Sequence, residues 1–584
     1  MRVIFVLAVG VVFAACSSSS PSASDAGTDA ATDAAQLDAA GDDDATDGGA
    51  DVPFPNAPTG AGTGTTYYVS PSGDDTHDGK SPATAWKTVD KVNASSFGGG
   101  DSVLFEGGQS FTGCVKLGAN VASTATKAFT LGAYGTGKFT LTANCSGSLA
   151  AAITVSGVSG VYVQDATIVG NAGGAEFGVW LTNQTQTMVD GLVVRRCDIS
   201  GFYTTENNFG GEIFLTSDSG IGIQNVGILD NELHGASASS LDDNGVAGYG
   251  NSENIKNVYY ERNSVHDIGG KPNGPNGSEG NGIVVNGVDG AVVQYNVMHD
   301  LGGNVNTCGG NSGVLVYSAN DVTVQFNEAY ASRPLTYTAG CDWDGFDLDG
   351  YVTNSVMQYN YSHDNYGAGF LFFGYGTWGP NTIRYNISEH DALLGTTATG
   401  SISISGGPSP MITNVYNNTV YDNTPDGTQS PALAFVNGVP TGGVIANNIL
   451  YSTAHFFSQS WVLWTNATNP SGVTLVNNDY AGDQNVVIEW NGTRYTDLAS
   501  WQTASGEDPK ALSVDPQLTA PGTAGTCNGY SSTCAAGAYS LKTGSPMLGH
   551  GIDLTAAPYS LDVGKQNFFG KPIGGSAGYD IGAF

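Results

Sequence analysis

Short runs of alternating apolar and polar residues recur along the middle of the chain and end on one residue type: Val293-Gln294-Tyr295-Asn296, Val324-Gln325-Phe326-Asn327, Met357-Gln358-Tyr359-Asn360 and Ile383-Arg384-Tyr385-Asn386. The terminal position falls at Ala166, Cys197, Asn231, Asn263, Asn296, Asn327, Asn360, Asn386, Asn418, Asn448 and Asn478, so ten steps cover 312 residues. A period near 31, three strand-like runs per unit and no 3.6-residue pattern predict a coil of three short strands and three turns. Stacked coils place equivalent residues about 4.8 Å apart, within reach of side-chain hydrogen bonds between like asparagines; Asn also suits a turn because it tolerates left-handed backbone. The expected fold is all-β, a single-stranded right-handed parallel β-helix of about 11 coils. A second strand in each coil opens on glycine, at Gly245, Gly282, Gly313, Gly345 and Gly369.

The pattern changes at both ends. Residues 66–70 read as a strand, Gly73-Asp74-Asp75 and Asp78-Gly79 as turns, and Ser81-Pro82 as a helix start, with Trp86, Val89 and Val92 at helical spacing before a strand at 101–105. This predicts an N-terminal helix cap, with the cap and first coils at 65–150 and the β-helix proper at 151–490. After Asn478 the repeat breaks, a short helix is expected over 497–503, and residues 491–584 read as a C-terminal cap.

Residues 1–15 read as a processing signal: Arg2, an apolar run from Val3 to Phe13 that is too short to span a bilayer, then Ala14-Ala15 before Cys16. The phrase resembles a bacterial lipobox, which implies a lipidated Cys16, and Ser17 resembles the outer-membrane type of sorting signal. Residues 16–64 are Ser, Ala, Asp, Gly, Thr and Pro with almost no large apolar residue, which predicts a disordered tether. The expected product is an outer-membrane or cell-surface lipoprotein, otherwise secreted. It would be monomeric and would touch the membrane through its lipid alone.

Composition narrows the partners. The 53 acidic against 19 basic residues give a net charge of −34, which excludes nucleic acid because no basic stripe exists to meet a phosphate backbone. Export permits disulfides. Cys114 and Cys145 lie one coil apart, as do Cys308 and Cys341, while Cys527 and Cys534 can close a small loop; Cys197, at a ladder position, reads as a buried thiol.

In a repeat protein, residues that recur in a column are structural, and departures from the column point to function. His234, His266, His299 and His363 recur three residues after the ladder position and read as a stacked turn. In the Gly-led strand, alternation sends Val246, Ile283, Val314, Phe346 and Phe370 inward. Only one coil then presents two outward carboxylates, Asp347 and Asp349, within Cys341-Asp342-Trp343-Asp344-Gly345-Phe346-Asp347-Leu348-Asp349. Clustered carboxylates repel unless a cation bridges them or one keeps a proton. Asp342, Asp344, Asp347 and Asp349 are therefore candidate Ca²⁺ ligands. Alternatively, Asp344, Asp347 and Asp349 are candidate acid and base groups for hydrolysis. Tyr249, Tyr317, Phe373, Tyr375 and Trp378 are candidates for sugar stacking. Arg333, in the loop before the cluster, is a candidate carboxylate binder or unusual base. Long segments at 268–281, 301–312 and 331–344 would wall a groove beside it.

Tyr67-Tyr68-Val69-Ser70, Asp78-Gly79, Trp86-Lys87-Thr88, the Asn coils and Asp580-Ile581-Gly582 resemble exported bacterial right-handed β-helix proteins of the pectate-lyase-like superfamily. Asp344-Gly345-Phe346-Asp347 is similar to the calcium motif of family 9 pectate lyases, with Trp343 in place of the first Asp and Leu371 where that family's catalytic Lys would stand. Asp342-Trp343-Asp344-Gly345 faintly resembles a polygalacturonase-type phrase whose companion motifs are absent. The resemblance implies a surface-anchored carbohydrate-active protein that cleaves an extracellular polysaccharide as lyase or hydrolase. The alternative is a non-catalytic, glycan-binding or adhesive β-helix.

Overall fold

The computed structural model describes residues 54–584 except 148, 172–173, 204–209, 218–220, 237–240, 242–243, 251, 273–279, 306–310, 335–341, 396–398, 407–410, 457, 469, 528–531 and 575–577. Asn56–Phe584 form one compact unit. Within it, every coil contributes one strand to each of three parallel sheets, as in strands Val288–Gln294 (sheet I), Val297–His299 (sheet II) and Ser312–Tyr317 (sheet III). Sheets I, II and III hold 14, 13 and 15 strands among the described residues, each hydrogen-bonded in parallel to its equivalents one coil away except two of sheet III, His455–Phe456 and Thr493–Tyr495, which pair antiparallel with Gln459–Thr465 and Val486–Trp490. This is a parallel β-helix of about 12 turns.

The asparagine column is a continuous ladder. Asn231 donates from Nδ2 to Oδ1 of Asn263 at 3.0 Å, and the same bond repeats through Asn296, Asn327, Asn360, Asn386, Asn418, Asn448 and Asn478. Each Oδ1 also accepts a backbone N–H from the preceding coil, as Asn327 Oδ1 does from Asn296 N at 2.9 Å. The left-handed residue is not the ladder Asn but the one before it: Asp165, Arg196, Asp230, Arg262, Tyr295, Phe326, Tyr359 and Tyr385 all have φ between 51 and 58°. Such a conformation costs a non-glycine residue about 1–2 kcal/mol. The fully paired amide behind it offsets that cost, since an orphaned one would forfeit about 1–3 kcal/mol.

The glycine column has a packing cause. A Cβ on Gly282 would lie 2.7 Å from Met298 Cγ, one on Gly313 2.7 Å from Ala329 Cβ and one on Gly345 2.3 Å from Ser362 Oγ. Sheet III therefore starts in close contact with side chains of sheet II, and only glycine fits.

At the N-terminus, strand Thr66–Val69 pairs with Ser102–Glu106, and helix Val89–Asn93, capped by Thr88, buries Val89 and Val92 over the first coil. Ser81-Pro82 opens only a three-residue 3-10 turn. The tether boundary at 64 moves inward: Thr59 N donates to Ala125 O at 2.7 Å and Gly64 N to Gly100 O at 2.8 Å, so these residues pack on the helix. At the other end, helix Leu498–Ser505 buries Trp501 against Tyr480 and Trp490, closing the last coil.

Residues 512–584 do more than cap. They include an unpredicted helix, Ser532–Tyr539. They also return along the corner between sheets I and II: His550 O accepts from Asn477, Ile552 O from Asn447, Gly582 O from Asn417 and Gln566 O from Tyr359.

The Cys114–Cys145 bond forms. Cys527 is disulfide-bonded, while the side chain of Cys534 lies outside the described residues, as do Cys308, Cys341 and Cys16. Cys197 is a buried free thiol, its pKa pushed up to about 12 by burial.

Candidate functional site

The acidic motif forms the sheet III strand Asp344–Leu348. Phe346 and Leu348 fill the core, so alternation turns Asp347 and Asp349 outward as expected. Asp344 takes the place that Ser312 holds one coil earlier, and its Oδ1 accepts from Ala368 N at 2.5 Å, just as Asn281 Oδ1 accepts from Ser312 N at 2.9 Å. Its Oδ2 has no partner among the described residues. Asp347 faces outward yet is only 5% exposed, between Leu315 and Leu371 in the neighbouring coils, and its Oδ1 is also unpartnered among the described residues. Asp342 and Asp349 are half-buried and form the open edge of the cluster. Asp349 Oδ1 accepts from Gly350 N at 2.6 Å.

The approach to this strand is strained. Asp342 and Trp343 both have positive φ, 24 and 66°, a rare conformation for a bulky aromatic. It is held because Trp343 is buried with Val305 and Leu394 and its carbonyl accepts from Gly367 N at 2.9 Å.

Burial raises all four carboxyls, and negative neighbours add to it at Asp344, Asp347 and Asp349. Burial lifts Asp342. Asp344 and Asp347 stand well above the ordinary carboxylate range through burial first and negative neighbours second. Burial pushes Asp349 up to about 7, with Asp342 the charge that adds to the shift. Among the described residues no three His, Cys, Asp or Glu side chains gather closely enough to hold a metal ion.

The aromatic candidates divide. Tyr317 and Tyr375 are half-buried beside Asp349, which raises the pKa of each after burial itself, and Phe373 is 42% exposed nearby. Tyr249 packs 5.7 Å from Phe214, three coils or about 14 Å away along the solenoid. Trp378 is a correction: it is buried in the core against Phe372 and donates to Thr413 Oγ1, so no ligand meets it. Tyr351, which sequence reasoning missed, is 44% exposed and stands in edge contact with Tyr317 and Tyr375.

Arg333 does not join the cluster. It pairs with Asp300, next to His299 in the turn after sheet II. The histidines form the expected stack, with centroids 5.2 Å apart from His234 to His266, 5.0 Å from His266 to His299, and 4.7 Å through Tyr330 to His363. His363 is buried between Glu328 and Asp364, and these partners push its pKa up to about 9 against the opposing effect of burial. Of the loops expected to wall the groove, residues 273–279, 306–310 and 335–341 lie outside the described residues.

No protein-family profile matches the chain. A curated lacto-N-biosidase from Bifidobacterium longum subsp. longum is 24% identical over an alignment of 600 positions, covering 87% of this chain and 35% of the relative. The chain thus spans about a third of that protein's length. Among solved structures, the GH136 lacto-N-biosidase from Eubacterium ramulus is similar at TM-score 0.47 and 21% identity, covering 63% of this chain and 65% of that one. Pectate lyase Pel9A is similar at TM-score 0.37 and 13% identity, covering 90% and 97%.

Proposed function

We propose that the chain is a glycoside hydrolase acting on a neutral glycan at the edge formed by Asp342 and Asp349. The observation that carries this reading is that these are the two open members of an otherwise enclosed carboxyl cluster, and that Asp349 is pushed up to about 7 with Asp342 as its charged neighbour. A carboxyl of that kind holds a proton in a substantial fraction of molecules near neutral pH and can give it to a glycosidic oxygen as the C–O bond breaks, while Asp342 in its carboxylate form activates water or attacks the anomeric carbon.

Uronate lyase chemistry fits less well. Between residues 280 and 490 the sequence holds two cations, Arg333 and Arg384. Arg333 pairs with Asp300, and Arg384 is buried under Asp562 and Tyr416. Neither is placed to neutralise a uronate, and the buried Leu371 offers no base. The lacto-N-biosidase relative supports hydrolysis over elimination and makes lacto-N-biosides the first substrates to try. We place the enzyme on the cell surface, held by a lipid on Cys16.

The test is hydrolysis of aryl lacto-N-biosides and of a panel of neutral and uronate-containing glycans. New reducing ends without an unsaturated product are expected, they should persist in chelator, and Asp349→Asn should lower kcat by about a thousandfold. Retention of glycan without cleavage would leave a binding protein instead.

A further inference from the structure

Beside Asp349 the chain exposes a group of aromatic rings that the fold does not need. Tyr351 and Phe373 are 44% and 42% exposed, and Tyr375 lies between them, its centroid 5.4 Å from Tyr351 and 5.6 Å from Phe373, both edge-on. Core formation does not explain such a patch, because two large apolar faces remain in water.

The rings are held by a reciprocal device. Gly350-Tyr351 on one coil faces Tyr375-Gly376 on the next. A Cβ on Gly350 would sit 2.3 Å from Tyr375 Cζ, and one on Gly376 would sit 2.1 Å from Tyr351 Cε1. Each coil's glycine therefore makes room for the other coil's tyrosine. Tyr351 adopts φ 60°, a conformation a bulky residue takes only when its surroundings impose it, and its N–H donates to Tyr375 O at 3.0 Å. The Tyr375 hydroxyl bonds that of Tyr317 and lies close enough to Asp349 for the carboxyl to raise its pKa. Strain, two glycines and lost burial are thus all committed to presenting these rings next to the carboxyl edge.

We propose that Tyr351, Tyr375 and Phe373 form a stacking platform that binds the apolar C–H face of a neutral pyranose next to the Asp342–Asp349 edge. The hydroxyls of Tyr375 and Tyr317 supply polar contacts at its rim. The location rests on the hydrolase reading, while the binding itself does not require catalysis. A sugar ring carries one face of C–H groups that packs on an aromatic plane, and a tyrosine combines such a plane with a polar tip. A uronate would bring a carboxylate towards four acids with no free cation in the sequence around them, so the platform selects against charged sugars.

The experiment uses the mature chain carrying Asp349→Asn on an array of neutral and uronate-containing glycans. Neutral glycans should be retained, and adding Tyr351→Ala or Phe373→Ala should weaken retention about tenfold, with Tyr351→Trp restoring it. In the active chain, Tyr351→Ala should raise KM about tenfold while kcat falls far less. Thermal unfolding should show each exposed-ring variant folded. Undiminished retention by the Tyr351→Ala, Phe373→Ala double variant overturns the proposal, as does retention of acidic glycans alone or of none. If the parent cleaves nothing but retains neutral glycans through Tyr351, the hydrolase reading falls and the platform stands. Cleavage unaffected by both alanines has the opposite meaning.

Discussion

The side-chain amide of Asn478 donates to Oδ2 of Asp508 at 2.8 Å, and this carboxylate ends the asparagine ladder. Asp508 also accepts from the backbone N–H groups of Asn477 and Asn478 and from the Tyr480 hydroxyl, so both its oxygens are engaged by donors that have no further coil to meet. Asp508→Ala should destabilise the protein by about 2–4 kcal/mol by orphaning those buried donors. Urea unfolding followed by tryptophan fluorescence, with Trp501 buried close by, checks it.

A break inside the ladder should cost as much. Asn360→Leu removes the Oδ1 that accepts from Asn327 N at 3.1 Å and from Asn327 Nδ2 at 3.0 Å, and places an apolar group among buried amides. A loss of about 3 kcal/mol is expected in the same measurement.

The acidic strand should make stability fall as pH rises. The carboxyls of Asp344, Asp347 and Asp349 have folded pKa values raised above the unfolded value of 3.8, so the folded state holds their protons longer. Their contribution is complete below that value and is lost as pH rises through each folded value, which for Asp349 is about 7. Asp347→Leu extends the Leu315–Leu371 stripe and removes an unpartnered buried carboxyl. It should stabilise the fold by about 1–3 kcal/mol at pH 8 and flatten the melting temperature between pH 5 and 8. A variant less stable than the parent at pH 8 would contradict this account.

His363 governs a second, more alkaline window. Its folded pKa of about 9 exceeds the unfolded 6.5, so its contribution is full below 6.5 and disappears as pH rises through 9. His363→Phe preserves a ring in the stack but leaves Glu328 Oε1 with the backbone of Cys527 and no histidine. The variant should be less stable at pH 7 and should lose the alkaline decline seen in melting curves of the parent.

Gly313→Ala tests the close approach of sheets II and III. The added methyl would meet Gly345 O at 2.6 Å and Ala329 Cβ at 2.7 Å, neither of which can rotate away. A cost of about 1–3 kcal/mol is expected from calorimetry.

Features that repeat in every coil were legible in the sequence: the period, the glycine column, the histidine stack and the inward phase of Phe346 and Leu348 show because each coil states them again. The left-handed corner was assigned to the ladder Asn because its true occupants, Asp165, Arg196, Tyr295 and Phe326 among them, share no residue type. The ladder imposes that conformation rather than the side chain choosing it. Trp378 was misplaced because the strand ends at Gly374, so alternation no longer tells inside from outside by residue 378. Tyr351 escaped for the same reason, three residues beyond the end of its strand at Leu348. The returning C-terminal segment left no local signal, since its bonds join residues 73 to 207 apart in sequence, as in His550 with Asn477 and Gln566 with Tyr359.

Successive ladder bonds span 33, 26 and 32 residues from Asn327 to Asn418, yet the amides meet at 3.0 Å each time. Spacing in space is thus uncoupled from spacing in sequence: a coil can gain or shed a loop of several residues while its neighbours keep their register. A lineage built this way can lengthen, shorten or duplicate one coil without refolding the rest. The stretch around Asp342–Asp349 can therefore be exchanged as a single cassette, read off between one asparagine and the next.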